Sequence, residues 1–375
     1  MKKYMILFIV SLVLFLPTSA AEFSVPLECK SAVLMEASTG RILYEKNADE
    51  PLPPASVTKI MTLLLVMEAV DAKKIQLTDM VPVSENAASM GGSQVYLEPG
   101  EEMSVEEMIK CVVISSANDC AVALAEFLYG SESAFVSQMN LRAKELGMEN
   151  TNFENTNGLD DTVTNHVISA KDIAIMSKEL IAHPLILQYS SIWMDSIRNG
   201  QFGLTNTNRL IRFYTGANGL KTGSTSKAKF CISATAKRDD MQLIAVIMAA
   251  PTRDVRNNEA KLLLDFGFAN YAIFRSQKAD LSSIHVTGGT ADICNISHSD
   301  TCIVVEKEKL NGITQRTILP ESVKAPIQKG EVIGTQIYEY NGETIAQTDI
   351  CAAEDIPAID LGGLFAKIFK GFCLS

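Results

Sequence analysis

The stretch PPASVTKIMT, Pro53 to Thr62, sets Ser56 behind two prolines and Lys59 one helical turn later, then runs straight into apolar residues. At i and i+3 of a helix the two side chains share one face, with Cβ atoms about 5–6 Å apart. A serine in this place is also a common helix cap. Capping does not explain a lysine that enters a hydrophobic run. A serine hydroxyl is a weak nucleophile near neutral pH and needs a base, a role that a lysine held neutral can fill. Burial and a neighbouring cation both lower a lysine's pKa. Backbone N–H groups at the start of a helix offer partial positive charge to a developing oxyanion. The S-x-x-K pattern by itself is cheap, since it recurs at Ser224–Lys227 and Ser226–Lys229. Ser56 alone opens a long apolar helix after a rigid Pro-Pro approach.

Two further short motifs lie downstream. Ser116-Ala117-Asn118 falls between a helix ending near Ile114 and one beginning at Asp119. A loop serine and amide there suit proton relay and binding of a substrate carbonyl, and equally suit a plain N-cap. Lys221-Thr222-Gly223 stands at the start of the strand FCISATA. A lysine with a threonine hydroxyl can grip a carboxylate, and a glycine lets a substrate backbone approach the strand edge; an ordinary glycine turn reads the same way. Three such motifs in this order are harder to assign to chance than any one of them.

The surrounding pattern places them in an α+β fold. SAVLMEASTGRILYEKNAD predicts two strands around a turn at Ala37–Gly40, and Ser104-Val105-Glu106-Glu107 is a capping box opening a helix. Apolar helices are expected over Asp119–Leu128 and Ser133–Leu146, with Ser169 capping another. FCISATA and LIAVIMAA flank Lys237–Asp240 as a hairpin of buried strands, and a helix carrying Leu262, Leu263, Leu264 and Phe266 follows. This part ends near Ser276. Residues 277–354 are short, β-rich and punctuated by Gly and Asn, which predicts a small all-β domain. In residues 355–375, Leu361, Leu364, Phe365, Ile368, Phe369 and Phe372 recur at helical spacing with Lys367 and Lys370 opposite. That is an amphipathic helix suited to a membrane surface, or to packing on the domain.

Length and charge narrow the field. The 375 residues are 47% hydrophobic and 21% charged, a globular composition with room for more than one domain. A net charge of −11, without a Lys/Arg run, argues against a nucleic-acid partner. Lys2 and Lys3 ahead of the apolar run Met5–Leu16, then Thr18-Ser19-Ala20-Ala21, predict an export signal over residues 1–20 rather than a membrane span. The eight cysteines are scattered and several sit in apolar segments, as small buried hydrophobes do; Cys294 and Cys302 are close enough in sequence to staple a hairpin. The spacings of a structural zinc site are absent, and the four histidines are dispersed.

Taken together, PPASVTKIMT, SSANDCAVALAE, TNFENTNGLDD, HVISAKDIAIM and GLKTGSTSKAKFCISATAKRDDMQLIAVIMAAPT make the mature chain resemble the serine D-alanyl-D-alanine carboxypeptidases, the low-molecular-mass penicillin-binding proteins. The resemblance implies the penicillin-binding and serine β-lactamase-like transpeptidase fold, an antiparallel sheet flanked by helices over residues 21–276. It implies that Ser56 is acylated, Lys59 is its base, Ser116 passes the proton to the leaving amine and Asn118 holds the substrate amide. Lys221 and Thr222 would bind the terminal carboxylate or tune Ser116, beside Gly223, and the N–H groups of Ser56 and Ser224 would form the oxyanion hole. Arg256 falls where the family often has an arginine, a second anion-binding candidate that reads equally as a surface ion-pair residue. The implied substrate is a peptidoglycan stem pentapeptide, β-lactams are implied as covalent inhibitors, and neither metal nor organic cofactor is needed. Export, a β-domain as pedestal and the tail as anchor would hold the enzyme at the outer face of the membrane.

Two positions depart from the family pattern: Ala117 replaces a common glycine and Cys120 a common alanine. Arg209, in NTNRLI, has no assignable reach. A serine β-lactamase shares the three motifs but would need a deacylating glutamate, for which Glu154 is the one acidic residue in its block. A D,D-endopeptidase or a non-catalytic β-lactam or wall-binding protein are the other readings, and the product formed separates them.

Overall fold

Residues 23–276, 283–298, 301–365 and 369 are described by the computed structural model, so the expected export signal lies outside the described residues. Five antiparallel strands form the central sheet: β1 Ser31–Glu36, β2 Ile42–Lys46, β3 Ala217–Thr225, β4 Lys229–Arg238 and β5 Met241–Ala250, in spatial order β2-β1-β5-β4-β3. The hairpins β1–β2 and β4–β5 are those the sequence predicts. Pairing of β1 with β5, in which Ser31 faces Met248 and Glu36 faces Leu243, joins segments some two hundred residues apart. Lys221-Thr222-Gly223 belongs to β3, a strand of its own beside FCISATA, instead of the start of that strand.

Helices cover both faces, so alternate residues of one strand enter different cores. The main helices are α1 Lys59–Asp71, α2 Val105–Lys110, α3 Asn118–Tyr129, α4 Glu132–Glu145, α5 Ala170–Ile181 and α6 Arg253–Asn270. Val33, Met35, Ile244, Val246 and Met248 pack with α1, α3 and α5 on one face. Ala32, Leu34, Leu243, Ala245 and Ile247 pack against Leu263, Leu264 and Phe268 of α6 on the other. Helix α1 is apolar around its circumference, with Ile60, Met61, Leu63, Leu64, Val66 and Met67 all buried, as a helix passing through a core must be. Burial of one such side chain contributes about 1.5–3 kcal/mol. That packing carries Lys59 into the interior.

Serine caps mark helix starts as expected: the hydroxyls of Ser104 and Ser169 accept the N–H groups of Glu107 and Asp172. Helix α4 is capped by Ser131 and starts at Glu132, one residue ahead of the expected start at Ser133.

A second, all-β body follows. Tyr271–Arg275 pairs with Cys302–Glu306, and a six-stranded sheet runs Ile313–Ile318, Val332–Tyr340, Glu343–Ala352, Ile293–His298, Ser283–Thr287, Ser322–Lys324, with only the last pair parallel. Its hydrogen bonds reach Ile359, whose N–H donates to Gly288 O at 2.9 Å. It joins the first body through Arg41 Nη1 to Val304 O and Lys307 Nζ to Phe268 O, both 2.6 Å. Cys294 and Cys302 lie in different sheets and are free thiols, so they form no staple. Of the expected amphipathic helix, residues 361–365 are helical and most of the remainder lies outside the described residues.

Candidate active site

Ser56 sits in a short 3-10 turn, Ala55–Thr58, that leads directly into α1. Ala55 has φ +50° although it is not a glycine, a left-handed conformation that costs about 1–2 kcal/mol in an L-residue. One turn on, Lys59 Nζ lies 2.9 Å from Ser56 Oγ. The same nitrogen reaches Asn118 Oδ1 at 2.5 Å and the carbonyl of Asn157 at 2.7 Å. Lys59 is 0% exposed. Burial holds its pKa well below the usual lysine range, the nearby Lys221 charge lowers it further, and the Asp119 carboxylate opposes both.

Asn118 comes within reach because α2 ends in a widened π-turn, Cys111–Ser115, after which Ser116 adopts a left-handed φ of +66°. The turn leaves Ser116 on the wall of the cleft and lets α3 restart at Asn118. Ser116 Oγ has no hydrogen bond among the described residues. Asn118 stands beneath the cleft, its carbonyl taken by Lys59 and its NH2 donating to Gly91 O at 2.7 Å. Asp119, fully buried, accepts the N–H groups of Val95 and Leu97 and so ties the loop carrying Ser93 to this helix. Ala117 is fully buried.

Strand β3 supplies the opposite wall. A Cβ on Gly223 would lie 2.8 Å from both Pro54 O and Ser56 N, so only glycine lets the strand lie this close to the serine turn. Lys221 is 1% exposed, and its pKa falls to about 7 through burial and the charge of Arg256. Its Nζ donates to Thr222 O at 2.8 Å, and Thr222 Oγ1 donates to Thr207 Oγ1 at 2.8 Å. Arg256 is only 3% exposed. It donates to Asn257 Oδ1 at 3.0 and 2.9 Å and makes no ion pair among the described residues, unlike a surface ion-pair arginine. Burial and the charge of Arg253 bring its pKa down to about 10, and Arg209, exposed, adds to that repulsion.

Ser56, Ser116, Thr222, Gly223, Ser224 and Arg256 thus share one cleft, joined by Ser93, Thr207 and Arg253, none of which the sequence singled out. The Asn157 carbonyl was equally hidden, because backbone acceptors carry no residue signature. Lys59, Asn118 and Lys221 form the buried layer below. Glu154 is turned elsewhere: its carboxylate accepts the N–H groups of Thr164 and Asn165 at 2.8 and 3.1 Å. Among the described residues no three His, Cys, Asp or Glu side chains converge as metal ligands would. The arrangement sets a hydroxyl against a buried amine, beside a cationic pocket suited to a carboxylate.

Known proteins resemble this chain in sequence and in fold. Residues 18–252 match the family described as D-alanyl-D-alanine carboxypeptidase, and residues 275–358 match the penicillin-binding protein 5 C-terminal domain. The D-alanyl-D-alanine carboxypeptidase DacF of Bacillus subtilis is 45% identical over 336 residues, covering 88% of this chain and 86% of that one. Penicillin-binding protein 5 of Haemophilus influenzae superposes with a TM-score of 0.81 at 32% identity, covering 90% of this chain and 99% of that one. Penicillin-binding protein D2 of Listeria monocytogenes, solved with ampicillin bound, has a TM-score of 0.59 at 32% identity, covering 64% of this chain and 98% of that one. With its motifs on one cleft and both bodies matched, the chain belongs to the D-alanyl-D-alanine carboxypeptidase family.

Proposed function

We propose that Ser56 is the acylated nucleophile of this carboxypeptidase and Lys59 its general base. The carrying observation is the 2.9 Å approach of Nζ to Oγ, with Asn118 Oδ1 and Asn157 O as the amine's other two partners. In a neutral amine those two acceptors take both N–H bonds, and the lone pair is left facing Ser56. Nζ then accepts the Ser56 proton as Oγ bonds to the carbonyl carbon of the penultimate D-alanine. The N–H groups of Ser56 and Ser224 stabilise the oxyanion. Collapse breaks the C–N bond, and the proton reaches the leaving amine by way of Ser116. Water then attacks the acyl-serine ester and gives a proton to Lys59, which returns it to Ser56 Oγ as the C–O bond breaks. Lys221, Thr222 and Arg256 hold the terminal carboxylate, and Asn118 keeps Lys59 and the substrate amide in register.

A β-lactam presents the same carbonyl and carboxylate, and acylates Ser56 without prompt release. The likeness to an ampicillin-bound relative supports this. We also propose that residues 1–20 direct export, that residues 21–276 and 277–354 act as catalytic and supporting domains, and that residues 355–375 rest on the outer face of the membrane. Exposure of Leu361 and Phe365 supports the last.

The test combines intact mass after brief mixing with penicillin and D-alanine release from a pentapeptide. A stable adduct in the wild type, absent in Ser56→Ala, together with D-alanine release, is the expected result. Labelling that persists in Ser56→Ala overturns the assignment. Split cross-linked dimers without D-alanine would make the enzyme an endopeptidase.

A further inference from the structure

A directed chain of hydrogen bonds ends on the carbonyl of Ala55, the left-handed residue next to Ser56. The backbone N–H of Glu154 donates to His166 Nδ1 at 3.0 Å. With Nδ1 occupied as an acceptor, the ring proton belongs on Nε2, which lies 2.8 Å from Thr58 Oγ1. Thr58 Oγ1 donates in turn to Ala55 O at 2.8 Å. Each hydrogen has one available direction: amide to imidazole, imidazole to hydroxyl, hydroxyl to carbonyl.

The surroundings keep that chain dry and rigid. Thr58 is fully buried and His166 nearly so, with the ring of Phe153 edge-on at 5.9 Å. A Cβ on Gly158 would lie 1.9 Å from Ala55 O, so the same loop also covers this carbonyl with bare backbone. Its neighbour Asn157 holds Lys59. Neither His166 nor Thr58 lines the cleft.

We infer that His166 is a positioning residue which, through Thr58, locks the left-handed Ala55 turn and so aims the hydroxyl and N–H of Ser56. This rests on the reading of Ser56 as the nucleophile. A histidine that only stitched the loop to the core would affect stability and leave the chemistry of folded molecules unchanged.

The test compares His166→Ala, His166→Gln, Thr58→Val, the Thr58→Val/His166→Ala pair and Ser56→Ala in the full chain. It measures the melting temperature, kcat and KM for D-alanine release, and the acylation rate with a fluorescent penicillin. His166→Ala and Thr58→Val should each lower kcat and the acylation rate about 10–100-fold with KM little changed, because a small displacement of the nucleophile suffices. The double variant should be no slower than the slower single one, since both act on one chain. His166→Gln should recover most of the rate, as its amide sets an acceptor beside a donor. The inference is overturned if His166→Ala melts lower yet keeps kcat within about twofold, if the two losses multiply, or if His166→Gln is as slow as His166→Ala. Should His166→Ala not fold, Thr58→Val and His166→Gln decide by the same criteria. Labelling that survives in Ser56→Ala would instead sink the nucleophile assignment.

Discussion

Lys59 is an amine that two forces keep from its usual charge. Burial is the larger, and repulsion from Lys221 the second. Lys221, with a pKa of about 7, still carries its proton below neutrality. Replacing it with Gln removes that repulsion and leaves the burial, so the pKa of Lys59 rises and less of it is neutral at a given pH. The acid limb of the acylation profile in Lys221→Gln should therefore move to higher pH, beyond a general loss of rate from the missing carboxylate contact proposed above. Stopped-flow acylation from pH 5 to 10 measures this, and a limb that stays in place would mean the two lysines do not communicate.

His166 gives a separate reading, on stability. Burial brings its pKa from 6.5 to about 4, against the charges of Glu154 and Asp160, which raise it. Between those values the unfolded chain binds a proton that the folded one does not, so stability is retained above pH 6.5 and falls as pH drops toward 4. The full effect is about 3 kcal/mol. Urea denaturation at pH 7 and pH 4 should show a smaller acid loss in His166→Gln than in the wild type. Equal losses would exclude His166 as a source of the acid sensitivity.

The cleft works through contacts between elements that differ greatly in sequence position. Strand β3 and the serine turn touch through backbone alone at Gly223. In Gly223→Ala the new methyl meets Pro54 O, Ser56 N and Val57 N, none of which can rotate aside. The strand must retreat, at about 1–3 kcal/mol for an overpacked site, and acylation should fall about 100-fold as the proposed oxyanion donors separate. Penicillin labelling beside a melting curve checks this; near-normal labelling would show that the wall tolerates a gap.

The three motifs were legible because hydroxyls, amines and glycine are chemically distinctive and stand on strongly patterned elements. The capping serines Ser104 and Ser169 were legible for the same reason. The π-turn before Ser116 was not, since its residues Cys111–Ser115 are as apolar as any helix. Ser93 and Thr207 also stayed hidden, because only the tertiary fold brings their loops to the cleft. Arg256 reads as surface in a charged helix start, yet packing of α6 on the sheet buries it.

At the scale of the whole molecule, the proposed contact of the tail with a membrane has to overcome the acidity of the chain. A net charge of −11 repels an anionic bilayer, so any attraction has to be local and largely apolar. Among the described residues no helix is long and apolar enough to cross a membrane. The β-body keeps its chain hydrogen-bonded to Ile359, and Ile356 is part of its core. The tail that can be removed without cutting that core therefore begins at Leu361. There Leu361 is 76% exposed, Phe365 69% and Phe369 72%. Burying one such side chain contributes about 1.5–3 kcal/mol, so three or four together can hold a protein on a lipid surface. Deleting residues 361–375 should release the chain from phosphatidylglycerol–phosphatidylethanolamine vesicles in a sedimentation assay. D-alanine release from a soluble pentapeptide should stay within about twofold of the full chain, since the cleft lies in the other body. Continued sedimentation of the shortened chain would mean that another surface binds lipid. Loss of release from soluble peptide would mean that the tail supports the fold.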